Sequence, residues 1–307
     1  MNTPICITGV AGFIGSNLAD RLLREGYRVI GIDNLSYGVR EQIPDGVEFH
    51  QLDIRSGDIY PVVAQASHVF HLAAKNCISD CQTDPVETAD INVRGSANVF
   101  EAARRGGVKK VIYAESSALY EGSSQFPTPE DDAHPESFYA LSKYASMLFA
   151  GGYARYHGVQ STALRYFNVY GPRQDYRRSI PPVFSAFIIG LLRGEQPVIY
   201  GTGEKRRDFV YVDDVNDFHL QCIHDDRTTG TVYNLGSGMN HSINEIYAII
   251  ARIVGSEQTP EYRENLPGEA QLTLADTSRA RALGWIPKTS LEQGLAASID
   301  YIRTLNL

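Results

Sequence analysis

The chain has 307 residues, 43% hydrophobic and 21% charged; that is enough to bury a large core and excludes disorder, collagen and a disulfide-stapled miniprotein. Lys plus Arg number 28 against 36 Asp plus Glu, and a formal net charge of -8 argues against a nucleic-acid or anionic-membrane partner. No apolar run approaches the ~20 residues of a membrane helix, the N-terminus lacks the basic segment of a signal peptide, and the four cysteines are too scattered for a disulfide framework, so a reduced, cytoplasmic protein is expected.

Apolar runs at residues 4–8, 28–33, 47–53, 68–74, 110–114 and 162–167 read as strands alternating with helical patterns, which predicts βαβ units and a parallel sheet. Between the first two, Ile14, Leu18 and Leu22, with Ala19 and Leu23 beside them, mark one helix face, and Gly26 stands where a helix C-terminal glycine belongs. The first strand runs into Thr8-Gly9-Val10-Ala11-Gly12-Phe13-Ile14-Gly15. Glycines so spaced let the backbone turn tightly and approach a pyrophosphate at a helix N-terminus.

Asp33 closes the second strand, followed by Asn34, and its carboxylate can accept from both ribose hydroxyls while repelling a 2′-phosphate. The next arginine along the chain is Arg40, so NAD is favoured over NADP. Asp53 with Ile54, ending the third strand, can bracket the adenine or simply close the strand. Cys77 and Cys81 lie near His68 and His71, but the histidines fall on a strand expected to be buried. No second close cysteine pair completes a tetrahedral set, so no metal is expected.

Asp84-Pro85-Val86-Glu87 reads as an N-cap, a proline at the first helical position and a capping-box glutamate, opening a helix over 85–104. After the fifth strand come Ser116 and Ser117, then Tyr139-Ala140-Leu141-Ser142-Lys143, with a phenol and an ammonium on one face of a predicted helix. A phenol is a poor base at its ordinary pKa of about 10. A nearby lysine and a positively charged nicotinamide would bring the phenolate toward working pH. Ser116 can hydrogen-bond the substrate oxygen that Tyr139 deprotonates. Glu130-Asp131-Asp132 reads as a solvated loop, and Asp213-Asp214 as a cap on the helix that follows.

Beyond residue 168, Gly171, Pro172, Pro181 and Pro182 break the alternation. A helix near 183–193, a strand at 197–200, helices at 243–254 and 291–305, and a polar loop at 259–269 predict a smaller lobe capping the carboxyl edge of the sheet. A strand at 231–235 is expected to rejoin the sheet. The expected organisation is a dinucleotide-binding domain over 1–170 with a return segment at about 208–240, and a substrate lobe from 171–207 and 241–307.

With these features, the chain resembles the extended short-chain dehydrogenase/reductases of the NAD-dependent epimerase/dehydratase family, nearest to the UDP-sugar 4-epimerases. The resemblance also rests on His71-Leu72-Ala73-Ala74, Asn92, Arg165-Tyr166-Phe167-Asn168-Val169-Tyr170-Gly171-Pro172-Arg173-Gln174 and Arg207-Asp208-Phe209-Val210-Tyr211-Val212-Asp213-Asp214-Val215. Asn234-Leu235-Gly236-Ser237-Gly238 and Ala275-Asp276-Thr277-Ser278 extend it over nearly the whole chain.

The resemblance implies an α/β fold, a Rossmann-type doubly wound parallel sheet with a smaller C-terminal α/β substrate lobe. Ser116, Tyr139 and Lys143 would be the catalytic trio. The NAD site would comprise Gly9, Gly12, Phe13, Ile14, Gly15, Asp33, Asn34, Asp53, Ile54, Leu72, Ala73, Ala74 and Asn92, with Tyr139, Lys143 and Tyr166, the last beside the nicotinamide. A nucleotide sugar would meet Ser116, Ser117, Asn168, Val198, Tyr200, Arg207 and Thr273; Val198 and Tyr200 flank the base, Arg207 neutralises a phosphate, and Thr273 leaves room in the sugar pocket. A homodimer is implied through helices at about 85–104 and 139–157, for which Val86, Ala89, Val93, Ala97 and Phe100 are apolar candidates that core packing would explain as well.

Family dehydratases resemble one another in an Asp-Glu pair after the serine or threonine, and the decarboxylases in a glutamate at the second place; here stand Ser117 and Ala118. The pattern therefore points to 4-epimerisation of UDP-glucose or UDP-N-acetylglucosamine, with UDP-glucuronate 4-epimerisation and dehydratase, decarboxylase or dehydrogenase activity as alternatives. Glu115 replaces a usual serine and Glu121 a usual glycine. Both read as surface or supporting carboxylates, or Glu115 as a contact to an unusual sugar substituent. Leu266 replaces a phosphate-binding arginine; either Arg263 fills that role after a loop shift or the diphosphate is held less tightly.

Overall fold

In this computed structural model, residues 3–177, 181–265 and 270–305 are described. Leu266 lies outside them. The strands are β1 (Ile5–Thr8), β2 (Val29–Asp33), β3 (Val47–Gln51), β4 (His68–His71), β5 (Lys110–Ser116), β6 (Ser161–Tyr166), β7 (Val169–Tyr170), β8 (Val198–Tyr200), β9 (Arg206–Asp208), β10 (Val210–Tyr211), β11 (Val232–Leu235), β12 (Asn240–Ser242) and β13 (Glu261–Arg263). The helices are α1 (Phe13–Arg24), α2 (Tyr60–Val63), α3 (Ile78–Thr83), α4 (Pro85–Ala89), α5 (Gly95–Gly106), α6 (Phe138–His157), α7 (Val183–Leu192), α8 (Val212–His224), α9 (Ile243–Val254), α10 (Ser278–Ala282) and α11 (Leu291–Arg303). The chain divides into two compact units: residues 1–124, 130–166 and 216–234, and residues 125–129, 167–215 and 235–307.

The first unit is built on a sheet of order β11-β6-β5-β4-β1-β2-β3, with parallel pairing from β3 through β6. β1, β2 and β4 are buried along their whole length, as central strands covered on both faces must be. The strand order reverses between β1 and β4, the place where open α/β sheets bind ligands beyond their carboxyl ends. This is the Rossmann-type parallel sheet expected from the alternating pattern.

Helix α1 buries Leu18, Ala19 and Leu22. It ends as anticipated at Gly26, whose φ of 83° permits the amides of Gly26 and Tyr27 to return to the carbonyls of Leu23 and Leu22. One core cluster joins Ile30, Val69, Val111, Phe100 and Ala150.

The expected single helix over 85–104 is instead interrupted by a π-turn over Asp90–Arg94. The carbonyl of Asn92 accepts from the hydroxyls of Ser96 and Ser146, which compete with the helical ladder. Asp84 caps α4 through the Glu87 amide, but no capping box forms because the Glu87 carboxylate pairs with Lys75 Nζ.

The second unit packs α7, α9 and α11 around Phe184, Phe187, Ile188, Ile246, Ile250, Leu295 and Ile299. Short pairs β7–β10, β9–β12 and β8–β13 carry its loops. Asp214 does not cap α8: its carboxylate accepts from the amides of Lys288 and Thr289, fastening the segment before α11. No helix among the described residues is long and apolar enough to cross a membrane.

Candidate active site

The glycine loop leaves β1 at the point of strand reversal. A Cβ on Gly15 would lie 2.1 Å from the Gly9 carbonyl oxygen, and one on Gly9, at φ 77°, would lie 2.7 Å from the Ala73 amide. The loop backbone is thus pressed against Leu72 and Ala73 at the end of β4. Gly12 is the N-cap of α1 and no side chain caps that end, leaving the first-turn amides free to face an anion. This cradle of backbone, with Phe13 and Ile14 opening the helix, fits a dinucleotide pyrophosphate.

Asp33 is 8% exposed at the end of β2. One oxygen accepts from Ala11 N at 3.1 Å and the other from Leu35 N at 2.8 Å, so each keeps a lone pair for a ribose hydroxyl. Burial pushes its pKa up and the two amides pull it back. Arg40 is stacked over Phe49, 4.9 Å from the ring centroid.

Asp53 is more committed than the sequence suggested: Arg55 grips both oxygens, at 2.9 and 2.7 Å, and Asn34 donates at 3.0 Å. The Arg55 side chain holds that carboxyl well below the usual range. Arg55 also reaches Asp90 at 2.7 Å, a link no motif announced. Ile54 packs against Gly95, where a Cβ would lie 2.6 Å from Ile54 Cδ1.

The catalytic candidates converge from β5, α4–α5 and α6. Ser116 ends β5 half-buried and caps the 3-10 turn Ser117–Tyr120 by accepting from Ala118 N at 3.1 Å. Tyr139 and Lys143 are both buried, one turn apart on α6. Lys143 Nζ donates to the Ala114 carbonyl at 3.1 Å, and burial pushes its pKa down to about 8. Asn92, in the π-turn, donates to Ser142 Oγ and to the Lys75 carbonyl, both at 2.9 Å, and accepts from Lys75 N at 2.8 Å. It therefore fixes the segment after β4 against the helix that bears Tyr139.

Tyr166 is buried, with its hydroxyl 2.7 Å from His219 Nε2, a partner that sequence reasoning missed. His71 lies between Thr8 Oγ1 at 2.8 Å and Ser96 Oγ at 2.9 Å, and Cys81 points its thiol at the Lys75 carbonyl.

One sequence reading, the solvated loop at Glu130, needs correction, and two that stood open are narrowed, Glu115 to a supporting carboxylate and Phe100 to core packing. Glu115 is neither a surface group nor a sugar contact: its side chain is inaccessible and pairs with Arg165 Nε at 2.6 Å. Glu130 is buried rather than solvated, accepting from Asn234 N at 3.1 Å. Phe100 is wholly buried against Tyr113 and Tyr153 and presents nothing to a partner, whereas Val86 is exposed.

In the second unit, Asn168 adopts φ 36° and donates to the Asp208 carbonyl at 2.8 Å and to Thr273 Oγ1 at 3.4 Å. Arg207 stands beside them on β9, half-buried. Val198 and Tyr200 lie on β8, where Tyr200 registers with Arg263 of β13. Both Nε and Nη2 of Arg263 are held by Glu261, at 2.9 and 2.7 Å.

The model of the NAD dependent epimerase/dehydratase family matches residues 5–236. The chain belongs to this family. It is 36% identical to the UDP-glucose 4-epimerase of Mycolicibacterium smegmatis over 97% of each chain. Among solved structures it is similar to the UDP-glucose 4-epimerase of Thermotoga maritima, crystallised with UDP-glucose (TM-score 0.95, 36% identity, 99% and 100% coverage). It is also similar to the UDP-N-acetylglucosamine 4-epimerase of Methanobrevibacter ruminantium, in complex with UDP-N-acetylmuramic acid (TM-score 0.95, 31% identity, 99% of each chain).

As a member of the NAD-dependent family, the chain is an enzyme whose bound cofactor supplies a reversible two-electron acceptor. Its own residues offer groups suited to proton chemistry. The Lys143 ammonium can stabilise a Tyr139 phenolate, the phenolate can take a proton from a substrate hydroxyl, and Ser116 can hold that oxygen.

Proposed function

We propose that the chain is a UDP-sugar 4-epimerase that inverts C4 of UDP-glucose or UDP-N-acetylglucosamine through a transient 4-keto sugar, with the cofactor restored each turnover. The observation that carries the reading is the state of the two carboxylates nearest Ser116 along the chain, Glu115 and Glu121. Glu115 is inaccessible and paired with Arg165, Glu121 is spent on Ser137, and Ser117 and Ala118 bring no acid or base. Dehydration needs an added acid and base, each worth ~10²–10⁴-fold. Epimerisation needs only Tyr139, Lys143 and Ser116.

In this reading Asn168 and Arg207 hold the diphosphate, Val198 and Tyr200 flank the uracil, and Thr273 leaves space for an N-acetyl group. Both Asn168 and Thr273 already share the Asp208 backbone. A second copy of the chain is proposed to cover the exposed apolar side chains Val86 on α4 and Leu148, Phe149 and Tyr156 on α6. Sedimentation of the NAD-bound protein as a monomer would remove that assembly.

Proton NMR of the protein with NAD and UDP-glucose, UDP-N-acetylglucosamine or UDP-glucuronate, each in its own tube, tests the substrate. A new galacto-configured anomeric signal with one of the first two is expected. Conversion of UDP-glucuronate alone would replace the reading with its glucuronate counterpart.

A further inference from the structure

Glu115 and Arg165 face each other in register on β5 and β6. Their side chains are 0% and 2% exposed, and Arg165 Nε meets Glu115 Oε2 at 2.6 Å. The guanidinium also donates to the Tyr120 hydroxyl at 2.8 Å and to the Glu130 carbonyl, and faces the Met147 sulfur at 3.4 Å. Arg165 is therefore well satisfied. Glu115 is not: its Oε1 is buried with no hydrogen-bond partner among the described residues. A buried carboxylate oxygen with no donor is expensive, and a serine-sized side chain would avoid the cost.

What surrounds that oxygen gives it a use. Ala114, the residue before Glu115, holds Lys143 Nζ through its carbonyl, and Ser116, the residue after, is the hydroxyl of the catalytic trio. Lys143 and Met147 lie one turn apart on α6, and Met147 touches the guanidinium that grips Glu115. The carboxylate thus sits between strand and helix at the level of the lysine.

We propose that Glu115 is a positioning residue, the buried counter-charge that keeps Lys143 protonated so that its ammonium can stabilise the Tyr139 phenolate. This rests on the roles given above to Tyr139 and Lys143, and extends that trio by one supporting member.

The fields at the site agree. Burial drives the Lys143 pKa down, and Glu115 is the strongest group holding it up, ahead of Cys81 on α3. From β4, His71 faces the lysine, and burial keeps that imidazole neutral. Facing Glu115 are Arg165 from β6, Lys143 from α6 and Tyr113 from its own strand, whose phenol acts on its charge without completing a well-formed hydrogen bond. Because Arg165 takes one oxygen, the remaining effect on Lys143 belongs at the low end of what an opposite charge exerts, about one pH unit.

The test follows the Lys143 side-chain nitrogen by NMR in NAD-bound protein labelled at lysine nitrogen, the signal being assigned by its loss in Lys143→Met. No sugar is present, so the outcome is independent of which reaction the enzyme performs. Glu115→Gln is expected to lower the Lys143 midpoint by about one unit, and Glu115→Asp to restore most of it. With an active substrate, the alkaline limb of kcat should move down by a similar amount while KM changes little.

Glu115→Gln strands Arg165, so Glu115→Gln/Arg165→Met is measured beside it and should move the midpoint in the same direction. A Lys143 midpoint unchanged in both variants would overturn the proposal, whatever happens to stability. A shifted midpoint in a protein that converts no UDP-sugar would leave Glu115 in its role and remove the epimerase reading instead.

Discussion

The Glu121 carboxylate takes both the amide and the hydroxyl of Ser137, at 2.7 and 2.9 Å. Ser137 is the N-cap of α6 and accepts from Ala140 N at 3.1 Å, so the carboxylate anchors the cap that anchors the helix. An acidic group there also complements the positive end of the helix dipole. Glu121→Ala should cost about 1–2 kcal/mol in urea unfolding. Tyr139 sits in the first turn of that helix, so kcat should fall by more than KM rises.

Tyr139→Phe removes the phenol hydroxyl and keeps the buried ring. The expected loss in kcat is ~10²–10⁴-fold. NAD content, measured on cofactor released by heating, should stay that of the unaltered protein. Loss of NAD together with activity would make Tyr139 a cofactor-binding rather than a proton-transferring group.

Gly15→Ala places a methyl 2.1 Å from the Gly9 carbonyl oxygen, so the loop must move. At least a tenfold weaker hold on NAD is expected, about 1.4 kcal/mol, read by titrating NAD into cofactor-stripped protein. Gly26→Ala serves as the control. A Cβ there meets nothing within 4 Å, but φ is 83°, so it should cost stability and spare NAD.

Much of the candidate dinucleotide site is legible in the sequence because its signals are local. Gly9, Gly12 and Gly15 are fixed by one strand-to-helix turn, and Asp33 by the end of the neighbouring strand. Tyr139 and Lys143 share a helix face by spacing alone. What escaped depends on contacts distant in sequence: Arg55 on Asp90, His219 on Tyr166, and Arg165 on Glu115. The last pair did leave a trace, since an acid and a base each fall in the second half of a strand that reads as buried. Their partnership appears only once β5 and β6 are set in register. The π-turn at Asn92 was illegible for a related reason, because the hydroxyls that disturb the ladder include Ser146, on another helix.

Three histidines make stability depend on acid. Burial lowers the pKa of His71 and His219 to about 3 and of His68 to about 4. Unfolded, each titrates near pH 6.5. Between those values the unfolded chain binds protons that the folded chain refuses. Stability is therefore full above pH ~6.5 and falls as the pH drops toward the folded-state values, by about 1.4 kcal/mol per unit for each histidine. His219→Gln should make the decline shallower in urea titrations at successive pH values. An unchanged slope would place the acid sensitivity elsewhere.

The reaction itself is tested most directly with UDP-hexose carrying deuterium at C4, in ordinary water with catalytic NAD. Deuterium retained at C4 of the inverted product, with no accumulation of NADH, is the expected result: oxidation and reduction then occur at the same carbon within one turnover. Deuterium appearing in released NADH, a stable keto sugar, or inversion with exchange into solvent would contradict 4-epimerisation through Tyr139, Lys143 and Ser116.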